Sequence, residues 1–282
     1  MIETVLVALI DGLALAMLIF LIASGLTMIF GLMGILNFAH GAFFMLGAYL
    51  VISVVSDLGL DYSVSLPISF SIGFVIGALV EMLTLRPLHG KHVAQLIVTL
   101  GLLYVFTQLV VVIWGTVPTL YIPPSLAGGN KIMGLTVLNT RIFIIITGLL
   151  IALALHLFLS KTRIGLIVLA GVEDAQMVEA LGINIKRVFT LTFALGTALA
   201  FLGGSLAEPW QGANLALSGY MFLGFVAVVV GGLGNYRGSF YASLLVGIVH
   251  ALTAHFLPIL TFVIDFLIMA LVLLIRPRGL FG

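Results

Sequence analysis

The stretch between Asp11 and Asp57 contains no aspartate, glutamate, lysine or arginine, and this absence constrains the fold more than any other feature of the sequence. A helix needs roughly 20 mainly apolar residues to cross about 30 Å of hydrocarbon. The uncharged stretch is long enough for two crossings, joined by a short turn near Gly31 to Asn37. It therefore predicts a chain that lies within a lipid bilayer.

The rest of the chain has the same character, since 62% of its 282 residues are hydrophobic and 7% are charged. Soluble domains carry about a quarter charged residues, so a water-facing surface cannot be built from this composition. The formal net charge is +1 and the basic residues are scattered, which excludes a nucleic-acid-binding surface. The absence of cysteine excludes a disulfide framework, a thiolate metal site and a cysteine nucleophile.

Dividing the chain at charges, prolines and glycine clusters predicts an all-α, polytopic transmembrane helical bundle of about 8 to 10 spans. We expect a single domain over residues 1–282. The best division has about nine spans, which lie near residues 12–30, 37–56, 64–85, 94–114, 141–160, 188–207, 218–234, 239–257 and 259–275.

Lysine and arginine residues mark the cytoplasmic ends of membrane spans. Nine of the 11 basic residues collect at alternate span ends, and Lys131 and Arg141 are the exceptions. This distribution predicts an extracytoplasmic N-terminus and a cytoplasmic C-terminus, with residues 276–278 closing the last span. The opposite span ends carry Asp57, Asp61, Glu208 and the loop from Tyr121 to Gly134.

The hydropathy falls after the fifth predicted span, and residues 172–183 are predicted to form a short amphipathic helix in a cytoplasmic loop. Glu173 and Asp174 are expected in its first turn, and Gly182 is expected to end it in a left-handed conformation. The pattern leaves two interpretations open, a helix lying on the membrane surface and a helix docking into a cytoplasmic partner. Its apolar face is predicted to contain Val172, Met177, Ala180 and Leu181.

A second unusual segment lies within the apolar part of the chain, where glycines accompany Asn37 and His40. Glycines permit a helix break, whose free amides must line a cavity or be buried in protein. Asn37 is expected to cap the next helix, leaving N–H groups to face an anionic group such as a solute carboxylate. The alternative is tight helix packing with Asn37 as an ordinary cap. For His40, a neutral, hydrogen-bonded structural role is the alternative to a functional one. The pathway candidates in this segment are Gly34, Asn37, His40 and Gly41.

A related pattern occurs late in the chain, because Asn37-Phe-Ala-His-Gly-Ala-Phe43 compares with Asn235-Tyr-Arg-Gly-Ser-Phe240 after one deletion. Each pattern precedes a span that starts on the cytoplasmic side. The comparison predicts two similar turns and adds Asn235 to the pathway candidates.

The sequence contains no His-Glu-x-x-His motif, no nucleophile elbow and no phosphate-binding glycine loop. We therefore expect no enzyme activity, no catalytic or metal-binding residues and no cofactor. ATP-driven transport would require an ATPase on another chain. The carboxylates within or next to the spans are Glu81, Glu208 and Asp265, fewer than a proton-coupled carrier usually has. An ion-coupled carrier is therefore the second interpretation and a passive channel the third.

Four motifs in order carry a family resemblance: Gly31-Leu-Met-Gly-Ile-Leu-Asn-Phe-Ala-His-Gly-Ala-Phe43, Ala180-Leu-Gly-Ile-Asn184, Val230-Gly-Gly-Leu-Gly-Asn-Tyr-Arg-Gly-Ser-Phe240 and Arg276-Pro-Arg-Gly-Leu-Phe-Gly282. Together they resemble the LivH-type permeases of branched-chain amino acid ABC transporters over nearly the whole chain. The loop helix also resembles the Glu-x-Ala…Gly coupling motif of ABC importer permeases, although Asp174 departs from the common Glu-Ala-Ala form. The resemblance assigns coupling to Glu173, Asp174, Ala175, Glu179, Ala180 and Gly182.

The resemblance implies a bacterial inner-membrane permease that carries leucine, isoleucine and valine into the cell. Its expected partners are a second permease subunit, two cytoplasmic ATP-binding subunits, an extracytoplasmic substrate-binding protein and membrane lipid. Related permeases serve urea, short amides or aromatic acids, and the residues do not choose among these solutes.

Overall fold

The computed structural model describes residues 2–132 and 135–282. Met1 lies outside the described residues, and so does Gly134, the last residue of the predicted loop from Tyr121 to Gly134. Most of this part of the chain is helical, and a hairpin of β1 (Gly129–Ile132) and β2 (Leu135–Leu138) precedes the fifth helix. The helices are α1 (Ile2–Met33), α2 (Ala39–Ile52), α3 (Tyr62–Val80), α4 (His92–Trp114), α5 (Asn139–Lys161), α6 (Arg163–Glu173), α7 (Ala175–Ala180), α8 (Ile185–Gln211), α9 (Tyr220–Gly231), α10 (Tyr236–Phe256) and α11 (Thr261–Ile275).

Eight helical segments in the described part of the chain are long and apolar enough to cross a membrane, which confirms the polytopic helical bundle. Three of them include irregular turns, since π-helical and 3-10 residues extend α2 to Asp57 and α3 to Leu88, and the 3-10 helix Pro258–Leu260 precedes α11. The prediction of a full-length helix near residues 218–234 is wrong. There α9 has 12 residues, about 18 Å, and the 3-10 helix Leu215–Gly219 precedes it.

Several helices begin at polar caps that the local sequence supplies. Asp61 accepts the backbone N–H and the hydroxyl of Ser63 at the start of α3, at 2.8 and 2.6 Å. The Ser63 hydroxyl, followed by its N–H, lowers the pKa of the Asp61 carboxyl. Thr162 and Asn184 cap α6 and α8 in the same way, accepting backbone N–H groups at 3.0 and 3.3 Å. These caps satisfy amides that have no partner within the helix.

Helix α1 is the central helix of the bundle and contacts α5, α8, α9 and α10. Its middle is apolar on every side, and all residues from Ala14 to Ala23 are buried. A helix that is hydrophobic all round is typical of a position enclosed by other helices. The neighbour α10 runs antiparallel to α1, since Gly247 packs on Ala16 while Gly234 packs on Gly31.

Close backbone packing between α2 and α8 depends on two glycines. A Cβ atom on Gly47 would collide with the Phe201 carbonyl oxygen, and one on Gly204 would collide with the Phe44 carbonyl oxygen. Lipid tails are as apolar as leucine, so the hydrophobic effect does not hold membrane helices together. Small residues that allow close van der Waals contact therefore determine where α2 crosses α8.

All the basic residues except Lys131 and Arg141 collect at one end of the bundle, here called the basic end. It contains the C-termini of α1, α3 and α5 and the N-termini of α4, α8 and α10. Arg86 and Thr190 both bond to Glu81 there, which joins α3 to α8. At the other end, Asp11 near the start of α1 bonds to Arg141 and His255, at 3.0 and 3.2 Å. The chain therefore begins at the end opposite to the basic end and finishes at the basic end.

We predict that Gly204→Ala destabilises the isolated chain in detergent by about 1–3 kcal/mol, because the added methyl group forces α2 and α8 apart. Differential scanning fluorimetry should report a lower melting temperature. Gly101→Ala is the matched control, since a Cβ atom there meets no atom within 4 Å. Equal melting temperatures for the two variants would contradict this account of the α2–α8 crossing.

Candidate functional site

The chain re-enters the bundle between α1 and α2 instead of turning outside it. Gly34 reverses the chain with a φ of +66°, close to the ring of His92 at the start of α4. The Leu36 carbonyl then accepts the Thr99 hydroxyl at 3.3 Å. Thr99 lies seven residues after the start of α4, about 10 Å into the bundle. The non-helical segment thus carries the start of α2 away from the basic end and into the interior.

The start of α2 meets the start of α9 inside the bundle. Gly41 packs directly on the Ser218 carbonyl and on Met221, while His40 packs against Gly25 of α1. A Cβ atom at Gly41 would collide with the Ser218 carbonyl oxygen, so only glycine permits this contact. Helix N-termini concentrate partial positive charge. The start of α2 therefore faces the Ser218 carbonyl of the 3-10 helix that leads into α9.

The expectation that Asn37 caps α2 is wrong. Phe38 is the capping residue, its backbone is already helical, and no side chain accepts a helix N–H there. Asn37 precedes the capping residue by one position, so its side chain does not reach the free amides of α2. Its Nδ2 instead lies 3.5 Å from His40 Nδ1. Both side chains are fully buried, and the backbone of Ile22 on α1 lies beside the His40 ring, whereas Asn37 Oδ1 has no hydrogen-bond partner among the described residues. Buried polar atoms are usually paired, so Asn37 Oδ1 marks a place where a polar ligand or water would be accommodated.

Asn235 lies apart from this pair, at the basic end. Its Oδ1 accepts the Gly238 N–H at 3.0 Å, which caps α10, and its Nδ2 donates to the Phe281 carbonyl at 2.8 Å. The five pathway candidates therefore divide: Asn37, His40 and Gly41 come together, Gly34 forms the turn that leads to them, and Asn235 holds the C-terminal residues. A role for Asn235 in the pathway stays a prediction.

The loop segment is two helices rather than one. Glu173 ends α6, and Asp174 adopts an extended backbone with a φ of −154°. Its Oδ1 accepts the N–H groups of Gln176 and Met177, both at 2.9 Å, so it caps α7 and the expectation of a place in the first turn is wrong. An aspartate competes well for free amides, which explains the interruption. Gly182 has a φ of +82°, the left-handed conformation expected after the helix.

The predicted apolar face of this segment is divided between two directions. Val172 packs against Gly31 and Gly234, while Ala175 and Val178 pack on the bundle core. The side chains of Met177 and Leu181 remain 58% and 73% exposed. Glu179 and Ala180 are exposed beside them. The basic end thus presents a small surface of acidic and apolar side chains, here called the α7 surface: Met177, Glu179, Ala180 and Leu181.

Helix α4 has a polar outer face that the sequence analysis missed. Gly101, Tyr104 and Gln108 are exposed and lie at i, i+3 and i+7, which places them on one side of the helix. The spacing of a glycine, a tyrosine and a glutamine within an apolar span was the available signal. The exposed large side chains of α5, by contrast, are aliphatic. We call Gly101, Tyr104 and Gln108 the α4 polar face.

The carboxylates within the spans have structural partners. Asp265 lies 2.9 Å from His250 on α10, which agrees with the expectation of a partner on a neighbouring helix. Glu208 lies inside α8 rather than at the start of an outer loop, and it accepts the Tyr121 N–H at 2.6 Å. In the described ranges, no three histidine, aspartate or glutamate side chains converge as a possible metal site.

Comparison with known proteins gives one consistent result. The family model for the branched-chain amino acid transport system permease component matches residues 8–275. The high-affinity branched-chain amino acid transport permease LivH of Salmonella typhimurium is 31% identical, over 96% of this chain and 94% of the relative. BraD of Pseudomonas aeruginosa, also described as a high-affinity branched-chain amino acid transport permease, is 32% identical over 97% of this chain and 94% of the relative. A probable LivH of Methanocaldococcus jannaschii is 26% identical over 94% and 89%. No solved structure gives a significant match.

We predict that Asp174→Ala weakens the start of α7 by about 1 kcal/mol, because two helix N–H groups lose their acceptor. Hydrogen exchange of the α7 amides should become several-fold faster. Asp174→Asn is the matched control, since an amide oxygen caps a helix almost as well as a carboxylate. Unchanged exchange in Asp174→Ala would show that the cap does not hold this helix.

Proposed function

Because the chain belongs to the family of branched-chain amino acid transport permeases, we propose that it is the membrane-spanning subunit of an ABC importer for leucine, isoleucine and valine. Two cytoplasmic subunits hydrolyse ATP, an extracytoplasmic protein delivers the amino acid, and a second permease completes the pathway. The chain lies in the inner (plasma) membrane, with the basic end and the C-terminus in the cytoplasm, as the distribution of lysine and arginine favours.

The α7 surface is the observation that carries this proposal. A helix of six residues has no stability of its own, so α7 depends on the Asp174 cap and on the buried Val178. The side chains of Met177 and Leu181 contribute little to that packing, because most of their surface is exposed. Exposed apolar side chains beside charged ones are typical of a protein-interaction site. We assign the α7 surface to docking of the ATP-hydrolysing subunit.

Contacts lead from the α7 surface to the helix break. Val172, two residues before Asp174, packs against Gly31 at the end of α1 and against Gly234 before α10. Gly31 lies three residues before Gly34, where the chain turns into the bundle. A displacement of α6 and α7 by the ATPase would therefore act directly on the segment that positions α2. Discrete shifts of packed elements are the usual form of such coupling.

The helix break provides the chemistry for the solute. The start of α2 supplies partial positive charge for an amino acid carboxylate, and Asn37 Oδ1, which has no partner among the described residues, is an acceptor for its ammonium group. Next to them, the rings of Phe44 and Tyr220 stack with centroids 4.9 Å apart. This aromatic surface suits an aliphatic side chain. Gly34, Asn37, His40 and Gly41 are the proposed pathway residues, and they are closely packed in the present conformation.

The second permease is proposed to cover the α4 polar face. The amide of Gln108 makes no hydrogen bond to any described side chain, and it lies six residues, about 9 Å, from the end of α4. An exposed amide in hydrocarbon is costly, whereas a protein neighbour or a hydrated pathway can satisfy it. Gly101 permits close approach of another helix, since a Cβ atom there would meet nothing within 4 Å.

Leucine uptake into proteoliposomes that contain this chain, its partner permease, the ATPase subunits and the binding protein tests the transport proposal. We predict ATP-dependent uptake that isoleucine and valine inhibit and that urea and acetamide do not. Leu181→Asp and Met177→Asp should lower uptake and ATPase co-purification by about tenfold or more, the effect of about 1.4 kcal/mol.

Two control variants accompany this measurement. Leu181→Met conserves apolar volume and should retain ATPase binding. Lys161→Gln alters an exposed residue at the same end and should also retain it. Uptake by this chain alone, indifferent to ATP and to Leu181→Asp, would instead identify an ion-coupled carrier or a channel.

The position of the second permease can be tested with single-cysteine variants, because the chain contains no cysteine. A photo-cross-linker attached to Gln108→Cys or Tyr104→Cys should capture the partner permease in the assembled transporter. Leu150→Cys, on the aliphatic outer face of α5, is the matched control and should capture lipid. Equal capture of protein from positions 108 and 150 would reject the α4 polar face as the contact.

A further inference from the structure

A cleft of about 430 Å³ opens between α5 and α10, and the residues of the helix break do not line it. Its floor is the ring of Phe20 on α1, which packs edge-on against Phe240 with centroids 5.1 Å apart. Leu149 and Leu153 of α5 line one wall. The volume is within the range of small-molecule sites. No other element covers the cleft in the described part of the chain, so it opens sideways to the bilayer.

Polar groups line only the basic end of this cleft. His156 Nδ1 lies 3.0 Å from the Tyr236 hydroxyl, and Arg237 Nε donates to the same hydroxyl at 3.2 Å. The Arg237 guanidinium is exposed, and no carboxylate in the described ranges lies within ion-pair distance of it. Its remaining N–H groups are free for an anion. A guanidinium binds phosphate oxygens in a bidentate fashion.

The direction of the cleft matches the direction of a lipid in the membrane. Arg237 is in the first turn of α10, at the basic end. Leu149 lies seven residues before His156, so the apolar wall extends about 10 Å from the polar end toward the middle of the bundle. A ligand for this site therefore has an anionic group at the membrane surface and a flexible hydrocarbon chain below it.

We propose that the cleft is a binding site for one anionic phospholipid of the cytoplasmic leaflet. Its phosphate contacts Arg237 and His156, and an acyl chain lies over Phe20 between Leu153 and Phe240. The site is distinct from the α7 surface and the helix break, and none of its residues belongs to the proposed pathway. Arg237 is thereby assigned a role that the sequence pattern did not indicate.

Native mass spectrometry of the purified transporter, with added phosphatidylglycerol or phosphatidylcholine, tests this site. The wild type should retain one phosphatidylglycerol through gas-phase release of the detergent and should retain less phosphatidylcholine. Arg237→Gln should lower phosphatidylglycerol retention by about fivefold, the contribution of one basic residue near an anionic headgroup. Arg163→Gln is the matched control, because Arg163 is exposed at the same end and does not line the cleft.

Two further variants test whether a change in lipid retention reflects the cleft itself rather than a loss of folding. A cross-linking measurement tests whether another molecule occupies the cleft. Arg237→Lys keeps the charge and should keep the preference for phosphatidylglycerol. Leu153→Trp fills the cleft and should abolish retention of both lipids. Equal retention by Arg237→Gln and Arg163→Gln, or capture of another protein chain by a photo-cross-linker at Tyr241→Cys, would overturn the proposal. Lipid retention is measured without solute or ATP, so the result is independent of the transport proposal.

Discussion

Backbone amides in hydrocarbon have no water to bond, and this constraint explains where the chain remains regular and where it does not. Most of the spans are continuous helices, which satisfy their own amides. Two interruptions, at residues 34–38 and 212–219, lead the chain into the bundle, although Gly34, Ala216 and Gly219 are exposed. The second interruption meets the start of α2 where Gly41 packs on the Ser218 carbonyl. Other irregular turns, at residues 53–57 and 81–88, extend spans near their ends, and we propose the Gly41–Ser218 contact as the place for a polar solute.

Glycine contacts connect that interior place to the rest of the molecule. Gly47 and Gly204 bring α2 and α8 into backbone contact, and Gly31 and Gly234 do the same where α1 meets the start of α10. Such contacts transmit displacement because close-packed backbones cannot yield separately. The loop helices contact this frame through Val172. We therefore propose that a displacement of the α7 surface is transmitted to the helix break through Val172.

The outer surface divides into regions of different chemistry. The exposed large side chains of α5 are aliphatic and suit lipid tails, whereas the α4 polar face presents a glutamine. The cleft beside Arg237 combines an apolar wall with one free cation among the described residues that line it. The α4 polar face differs from a surface for lipid tails by its glutamine, and the cleft differs by its cation. We therefore propose that a second permease covers the α4 polar face and that an anionic lipid binds in the cleft.

Hydropathy and the positions of lysine and arginine determined the helical class, the approximate spans and the end at which the basic residues collect, because these depend on local composition. Family motifs predicted a coupling segment at residues 172–183. Only the tertiary structure decided that Asn37 bonds His40 rather than capping α2, that Asn235 holds the C-terminal residues, and that Met177 and Leu181 face outward. The physical reason is that a side chain's partner depends on which helix lies beside it. That neighbour is chosen by packing between residues far apart in the chain, which periodicity does not encode.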